Sequence, residues 1–374
     1  MPFVPIGPEK TDAQYKQQMA RALAENNPRK QLRIVQAEVI GGELARQYED
    51  VLDFLQSNHV DVAVCHWMML GARMATETSR VPTSTVCFNS MGLECVHGDA
   101  WRLPDIDVDR ARRIGREMAD MLWDDVVARF RESRGLPALA SVSEYQYACP
   151  LNIVAVSRHL TVGQDGWDAH HKVTGFFFSD PGLDWRPDAE LRDFVAHEKP
   201  LVFTFGSMPG VDPERTASIL IECARILGKR AVLQTGWGGI AALAARSPDI
   251  LVVGYVPHPW LFAHAACVVH HGGAGTCAEA IRAGVPSVIV PHMLDQSSWA
   301  TILASRRLAP GGLAVNRLSA QGLATLIEQA LADSTIADAC ANMSRLVEAE
   351  GGLAAAADLL EEFGAGDRAS LTTP

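Results

Sequence analysis

Short, mostly apolar runs alternate with amphipathic stretches along almost the whole chain. Residues 60–65, 151–156 and 201–205 are such runs, and each is bounded by Gly, Pro or polar residues, which is typical of buried parallel strands. Between the runs, apolar residues recur every three or four positions, the pattern of helices that pack on a sheet. The alternation predicts an α/β fold with mainly parallel sheets.

The two halves of the chain carry separate sets of elements. The first half has predicted strands at 60–65, 82–88, 151–156 and 173–176, predicted helices at 11–26, 38–57, 68–78 and 106–135, and the end of a strand at 3–6. The second half has predicted strands at 201–205, 231–234, 250–253, 265–269 and 285–291, predicted helices at 216–227, 277–284, 319–332, 335–348 and 352–363, and a helix that begins at 297.

The length of 374 residues predicts two domains. The polar, proline-containing segment 181–199 is interpreted as the linker between them. We therefore predict a first Rossmann-like domain at 1–180 and a second at 200–350. Residues 351–374 are predicted to form a helix that packs back on the first domain, followed by a frayed tail.

Composition narrows the class of protein. The 33 Lys and Arg against 44 Asp and Glu give a net charge of −11, which argues against nucleic acid as a partner. The eight cysteines are scattered without a CxxC pair and indicate buried thiols in a reducing compartment. No apolar run reaches the ~20 residues of a membrane span, and the start has no signal-peptide core, so we expect a cytoplasmic protein. The adjacent His170 and His171 project apart, and no metal site is expected there.

The most informative stretch is the glycine-rich turn 270–276, which lies between the predicted strand 265–269 and the predicted helix 277–284. A helix amino terminus with free backbone N–H groups is a seat for an anion, most naturally a phosphate. Gly273 and Gly275 permit close backbone approach. Thr276 can cap the helix, and His271 can donate a ring N–H to the same anion. The alternative is a turn that serves tight packing alone.

Four further loops of the second half follow the carboxyl ends of strands. They contain Gly206 and Ser207, Trp237, Val256, and the pair Asp295 and Gln296. In an open parallel sheet these loops share one edge, where ligands bind. An anion seat, flat apolar surfaces and a carboxylate beside an amide suit a nucleotide diphosphate that carries a polyhydroxylated group.

These motifs resemble the donor domain of the family 1 glycosyltransferases of GT-B fold, most of all the bacterial natural-product and sterol-type branch and the rhamnosyltransferases of glycolipid synthesis. The matching segments are 205–208, 255–261, 270–276, 283–286, 295–296 and 299–300. The resemblance covers about residues 150–310 strongly. It implies two Rossmann-like domains that face across a cleft, an acceptor-binding first domain and a donor-binding second domain.

The resemblance also implies roles for individual residues. His271 and the amides of Gly273, Ala274, Gly275 and Thr276 would hold the diphosphate. Gly206 and Ser207 would lie near the phosphate. Glu279 would hold the ribose hydroxyls, Val256 would line the base, and Trp237 would border the base or the sugar. Asp295 and Gln296 would hold the transferred sugar.

Each of these residues also has a structural interpretation. His271 could cap a helix without any ligand, and Glu279 could be a solvated helix acid. Asp295 and Gln296 could act as an N-cap pair for the next helix. Trp237 could belong to the core.

The first domain departs from the family pattern, because the usual opening strand, glycine-rich loop and helix are missing. We therefore expect an incomplete first domain that lacks at least one βαβ unit, on the order of 30 residues or more. Two explanations stay open: Met1 is a misplaced start and the true chain is longer, or the protein is a truncated paralogue. The missing loop usually carries or adjoins the general base. His66, at the end of a predicted strand, is the best substitute, and Asp295 is a fallback.

The resemblance implies an inverting glycosyltransferase that moves a hexose from a UDP- or dTDP-sugar to a hydroxyl of an apolar small molecule or lipid. Neither a metal nor another cofactor is required, and peripheral membrane contact is compatible with such an acceptor. Two alternatives stay open: a catalytically inactive donor-binding accessory protein, and another sugar-nucleotide enzyme of the same fold such as an epimerase. The acceptor, the sugar and the oligomeric state are open at this point.

Overall fold

The chain forms two compact units, residues 1–177 with 351–374, and residues 178–350. A computed structural model describes residues 3–7, 11–25, 30–31, 34, 43–97, 107–120, 123–178, 185–206, 213–234, 248–293 and 295–366. In both units, short parallel strands form a sheet that is flanked by helices. This is the α/β architecture that the alternating pattern predicts.

Unit 1 contains a parallel sheet of four described strands in the order β1-β2-β3-β4. Its elements up to the end of the sheet are α1 (Asp12–Ala24), α2 (Leu44–Ser57), β1 (Ala63–His66), α3 (Leu70–Ser79), β2 (Thr83–Cys87), α4 (Met91–Val96), α5 (Val108–Asp120), α6 (Asp124–Ser133), α7 (Val142–Tyr147), β3 (Leu151–Val154) and β4 (His171–Val173).

Unit 2 contains a parallel sheet of five described strands in the order β7-β6-β5-β8-β9. Its elements are α8 (Ala189–His197), β5 (Leu201–Thr204), α9 (Pro213–Leu227), β6 (Ala231–Gln234), β7 (Ile250–Val253), α10 (His258–Ala263), β8 (Cys267–His270), α11 (Ala274–Arg282), β9 (Ser287–Ile289), α12 (Gln296–Ser305), α13 (Ala320–Ala332) and α14 (Ser334–Glu348). The last helix of the chain, α15 (Gly352–Ala365), belongs to unit 1.

The sheet of unit 2 is covered on both faces, which explains why its strands are uninterrupted apolar runs. Phe203 and Val269 lie in the core on one face, and Val202 and Val268 lie in the core on the other. Every residue of β5, β6 and β8 is buried. Parallel strands that are buried on both faces read in the sequence as continuous hydrophobic segments.

The core of unit 1 is built in the same way on a smaller scale. β3 is fully buried, and Ala356 of α15 packs against Leu151 and Ile153 of that strand. On α3, Leu70 and Met74 are completely buried against α2. The last helix of the chain therefore contributes to the core of the unit that contains the first residues.

The segment interpreted from the sequence as a linker is in part a helix, which corrects that interpretation. α8 begins after Asp188, whose carboxylate accepts a hydrogen bond from the backbone N–H of Leu191 at 2.8 Å. Leu191, Phe194 and Val195 are buried in the core of unit 2. Polar residues on the exposed face of α8, and Pro187 and Pro200 on either side of it, hid this apolar stripe in the sequence.

Two other predictions in the first half differ from the structure. The predicted helix 106–135 is two helices, α5 and α6, and the buried Trp123 lies between them. Phe3 is 89% exposed and lies in no strand, so the predicted strand end at 3–6 is wrong. Over the part of the chain that the structure describes, no helix has both the length and the apolar character needed to cross a bilayer.

Candidate functional site

The order in which strands are added to the unit 2 sheet reverses at β5, and this reversal creates a place for a site. From β5 the chain proceeds outward through β6 to β7, and then returns to place β8 on the other side of β5. The register pairs Thr204 of β5 with His270 of β8. Loops that leave two such strands at their carboxyl ends diverge and leave a crevice, which is where open α/β sheets bind ligands.

The structure brings two predicted site residues together in this crevice, Gly206 after β5 and His271 after β8. Gly206 has φ +55°, and a Cβ built on it would lie 3.1 Å from Cε1 of His271. On the other side of the ring, a Cβ on Gly273 would lie 2.4 Å from Nε2. Both positions therefore lack a side chain because the imidazole occupies that space. The sequence analysis had assigned Gly273 to ligand approach alone.

The turn into α11 leaves an uncapped helix amino terminus beside His271. Gly273 is the N-cap residue, and no side chain makes a capping hydrogen bond there. The N–H groups of Ala274, Gly275 and Thr276 therefore have no acceptor within the helix. A Cβ on Gly275 would meet nothing within 4 Å, so its backbone is open to a ligand. The helix dipole and these N–H groups attract an anion.

Thr276 is not the cap that the sequence analysis expected. The helix begins at Ala274, three residues before the predicted start at 277, so Thr276 is its third residue. The Thr276 side chain is buried. Gly272, which has φ +91°, makes the sharp turn that allows the earlier start.

Four histidines lie on the strands and loops of this part of unit 2: His270 and His271 are buried, and His258 and His292 are half-buried. Burial, together with the nearby His292 and His258, lowers the pKa of His271 to about 4. The pKa of His258 and that of His292 are also lowered by burial, each to about 4. The imidazoles are therefore neutral at pH 7, so the site attracts anions through N–H dipoles rather than through imidazolium charge.

The Nδ1 atom of His271 is buried and has no hydrogen-bond partner among the described residues. A buried polar atom of this kind costs free energy unless a partner is supplied. Nδ1 and Nε2 of a neutral imidazole comprise one donor and one acceptor. His271 therefore has hydrogen-bonding capacity that the described protein does not use.

The loop after β7 is held by a side-chain network that the sequence analysis missed. Gln234 donates a hydrogen bond from Nε2 to the backbone oxygen of Val256 at 2.6 Å, and its Oε1 lies 3.1 Å from Nε2 of His258. His258 also stacks on Phe262, with ring centroids 4.6 Å apart. A polar residue at the last position of a buried strand was the available signal. The Val256 side chain is in the core, so only its backbone is left to line a ligand site.

Gln296 shapes the loop between β9 and α12. Its buried side-chain oxygen accepts the backbone N–H groups of His292 at 2.7 Å and Met293 at 3.1 Å. Asp295 is the N-cap residue of α12, although its side chain makes no capping hydrogen bond. Asp295 therefore occupies the N-cap position that the structural interpretation gave to this pair. The side-chain oxygen of Gln296 accepts hydrogen bonds from the backbone of the loop that precedes it.

Glu279 lies on α11 near a cation on the same helix. Its carboxylate is 3.9 Å from the guanidinium of Arg282, which in turn lies over the ring of Phe178 at 4.8 Å. The Glu279 side chain is 13% exposed, so it is not the solvated helix acid of the structural interpretation. Ser207 and Trp237 lie outside the described residues.

His66 belongs to unit 1, where it is the last residue of β1. Its Nδ1 accepts the backbone N–H of Met68 at 3.3 Å, and the ring stacks on Phe88 at 5.8 Å. Burial lowers the pKa of His66, so the ring is neutral at pH 7. Because Nδ1 accepts the Met68 N–H, Nε2 of the neutral ring carries the hydrogen, so the ring can accept a further proton only at Nδ1, after this hydrogen bond is broken.

Sequence comparisons match the second half of the chain to glycosyltransferases. Residues 232–362 match the C-terminal domain family described as erythromycin biosynthesis protein CIII-like. A sterol 3-beta-glucosyltransferase of Arabidopsis thaliana is 33% identical over 204 residues, 54% of this chain and 33% of that protein. The O-mycaminosyltylonolide 6-deoxyallosyltransferase of Streptomyces fradiae is 34% identical over 254 residues, 66% of this chain and 58% of that protein. The chain thus spans from a third to about three fifths of the length of these curated relatives.

Solved structures agree on the fold. The glycosyltransferase SsfS6 of Streptomyces sp. SF2575, complexed with thymidine diphosphate, has a TM-score of 0.64 at 17% identity and covers 97% of this chain and 86% of its own. CalG4, the calicheamicin glycosyltransferase, has a TM-score of 0.63 at 20% identity, with 91% and 81% covered. The fold is that of the two-domain α/β GT-B proteins. The comparisons support the family 1 glycosyltransferases of this fold, the family that the sequence motifs predict.

Proposed function

We propose that the chain transfers a hexose from a UDP- or dTDP-sugar to a hydroxyl group of an apolar small molecule or lipid, with inversion at the anomeric carbon. The relatives act, by their names, on sterols and on a macrolide, which supports an apolar acceptor. A related structure contains thymidine diphosphate, which supports a nucleotide diphosphate in the donor. Location in the cytoplasm stays a prediction.

The single observation that carries this proposal is the uncapped terminus of α11 beside the unused Nδ1 of His271. The diphosphate would accept hydrogen bonds from the amides of Ala274, Gly275 and Thr276 and from the imidazole. These donors are fixed before the reaction begins. They would stabilise the negative charge that develops on the diphosphate as the sugar leaves, without a metal ion.

The remaining roles follow the family pattern. We propose that Glu279 holds the ribose hydroxyls, that the Val256 backbone borders the base, and that Asp295 binds the transferred sugar. Gln296 would act by holding the loop that presents Asp295. His66 is proposed as the base that accepts the proton of the acceptor hydroxyl, since its pKa is lowered by burial and its ring is neutral.

Calorimetric titration of the full chain with UDP, dTDP, UDP-glucose and dTDP-rhamnose tests the donor site, with hydrolysis followed in the same samples. We expect binding by the unchanged chain and at least about tenfold weaker binding by His271→Ala, since a hydrogen bond to a charged group contributes about 1.5–3 kcal/mol. The matched control is His197→Ala, which removes an exposed histidine on α8.

The outcomes separate the possible functions. Binding with hydrolysis or transfer supports the enzyme. Binding without any turnover, in the presence of sterol and macrolide acceptors, assigns donor binding without catalysis. Equal affinity of His271→Ala and the unchanged chain would refute the phosphate role of His271.

A further inference from the structure

We propose that unit 1 contains a divalent transition-metal site, suited to Zn²⁺, formed by His97, Asp168 and His171. The side chains of these three residues present one ligand atom each, and the three atoms lie within 4.8 Å of one another. Two imidazoles and one carboxylate are a ligand set that Zn²⁺ uses, with a fourth position left for water.

The three ligands come from separate parts of unit 1 that the fold brings together. His97 directly follows α4, and its N–H continues the helical hydrogen bonds to the oxygen of Leu93 at 2.8 Å. Asp168 and His171 are joined by a turn in which the His171 N–H donates to the Asp168 oxygen at 3.0 Å. The turn spaces this carboxylate and this imidazole before any metal binds.

The distances suit capture of an ion after a small side-chain movement. Around a tetrahedral Zn²⁺ with bonds of about 2.0–2.2 Å, neighbouring ligand atoms are about 3.4 Å apart. The present limit of 4.8 Å exceeds this by little more than 1 Å. Asp168 is exposed, so its carboxylate can rotate to close the gap.

A buried amide supports the His171 ring, as is usual for metal-ligating histidines. The β3–β4 register pairs Asn152 with His171, and the Asn152 amide lies 2.8 Å from Nδ1 of the ring. Asn152 is completely buried, and Thr85 also contacts its amide, at 2.8 Å. In the structure the amide nitrogen Nδ2 faces Nδ1 and the amide oxygen accepts the Thr85 hydroxyl. A 180° turn of the amide would present its oxygen to Nδ1–H, and the Thr85 hydroxyl would then accept from Nδ2. This leaves Nε2 free to bind the metal.

The sequence analysis expected no metal at His170 and His171 because adjacent histidines diverge. The two rings do not diverge, since their centroids lie 3.9 Å apart. They have different partners: Nε2 of His170 lies 3.0 Å from the backbone oxygen of Tyr147, whereas the His171 ring lies 5.4 Å from that of His97. The partners of His171 are distant in the sequence, and spacing alone did not reveal them.

The site lies at the opposite edge of the sheet from the proposed base. His171 is the first residue of β4 and Asn152 is the second of β3, so both are near the amino ends of their strands. His66 is at the carboxyl end of β1. The metal would therefore stabilise unit 1 by joining α4 to the β3–β4 connection, with no part in the transfer reaction.

Titration of the full chain with ZnCl₂ tests the proposal, with CoCl₂ as a spectroscopic probe. We expect one Zn²⁺ per chain, a rise in the Tm of unit 1, and the visible absorption of four-coordinate Co²⁺. His171→Ala and Asp168→Asn should each weaken binding by at least about 100-fold, beyond the 10- to 100-fold typical for a lost second-shell partner. Asp168 is exposed and asparagine has nearly the same size, so Asp168→Asn should fold normally and any loss of Zn²⁺ binding reports the lost carboxylate.

Two further variants complete the test. His59→Ala removes an exposed histidine of unit 1 that pairs with Asp61 and should leave binding unchanged. Trp167 lies 6.0 Å from the His97 ring, so Co²⁺ should quench its fluorescence, and Trp167→Phe should remove that quenching while Zn²⁺ still binds. Absence of Zn²⁺ binding, or binding that His171→Ala and Asp168→Asn leave unchanged, would overturn the proposal.

Discussion

The glycines of the crevice in unit 2 are required at their positions for different steric reasons. A Cβ on Gly272 would lie 2.8 Å from Cγ2 of Ile289, and its φ of +91° disfavours any side chain. A Cβ on Gly273 would collide with the His271 ring, whereas a Cβ on Gly275 would point into open space. Substitutions at neighbouring positions therefore separate packing of the protein from approach of the ligand.

Gly275→Ala and Gly273→Ala are predicted to fail for different reasons. In Gly275→Ala the protein should keep its stability, because the added methyl group contacts nothing and alanine favours the helix by up to about 1 kcal/mol. Nucleotide affinity should fall, since the methyl group occupies the proposed path of the diphosphate. Denaturation curves and UDP titrations on the same samples measure both effects.

Gly273→Ala should instead displace the His271 ring and lower stability by about 1–3 kcal/mol, the usual cost of overpacking. Its nucleotide affinity should fall together with that stability. Unchanged UDP affinity in Gly275→Ala would place the diphosphate elsewhere.

At the scale of elements, the break between α5 and α6 connects several parts of unit 1. Asp120 ends α5, and its Oδ1 accepts the Ser143 N–H at 2.8 Å and the Ser141 hydroxyl at 3.0 Å at the start of α7. Trp123, immediately before α6, is buried, with 7% of its surface exposed. A continuous amphipathic pattern predicts one helix, but Trp123 has the non-helical φ of −121° and donates its N–H to the backbone oxygen of Asp120 at 2.9 Å.

Helix α6 is attached to α3 by an ion pair in which the Arg131 side chain is buried and the Glu77 side chain is 34% exposed. Arg131 is 2% exposed and donates to both carboxylate oxygens of Glu77, at 2.8 and 2.9 Å. Its Nε also donates to the backbone oxygen of Pro137 at 2.7 Å. Burial acts to raise the pKa of Glu77, but the hydrogen bonds from Arg131 and Tyr145 outweigh it and the pKa is lowered.

Arg131→Met should destabilise unit 1 by about 1–3 kcal/mol, because it removes the hydrogen bonds of a buried guanidinium to the partly exposed Glu77 carboxylate and to Pro137. Urea denaturation measures the change. Arg129→Met, the same substitution at an exposed position of α6, is the matched control and should change stability by less than about 0.5 kcal/mol. If the two variants were equally stable, the ion pair would not hold α6 to α3.

At the scale of the molecule, four histidines of unit 2 predict acid sensitivity. Burial lowers the pKa of His258, His271 and His292 from 6.5 to about 4 and that of His270 to about 3. In the unfolded chain these rings regain their ordinary pKa. Between pH 6.5 and 4 the unfolded state therefore binds more protons, and stability falls as the pH falls.

Each histidine should contribute a slope of up to about 1.4 kcal/mol per pH unit. Denaturation midpoints of unit 2 at pH 7, 6 and 5 measure it. His258→Gln removes one titrating ring and should make the profile shallower. A stability that is the same at pH 7 and pH 5 would contradict the burial of these rings as neutral groups.

Much of the second half could be predicted from the sequence because its signals are local. Residues 231–234 and 250–253 are strands with the predicted bounds, and Gly284 ends α11 with φ +66°, as expected of a residue just after a helix. A four-residue apolar run or a glycine determines the local backbone conformation within a few residues of its own position. Where local signals were mixed, as in α8, the prediction failed.

The sequence by itself determined the strand–turn–helix unit around His271 and the α/β class, and it carried the resemblance to the family 1 glycosyltransferases. Only the tertiary structure placed β8 beside β5, and with it Gly206 against the His271 ring. Only the structure showed that the amide oxygen of Gln296 serves its own loop, and that His97 and Asp168 meet His171. Helices and turns follow from neighbouring residues, whereas these contacts join residues far apart in the chain, and only the pairing of strands and the packing of the core decide which of them meet.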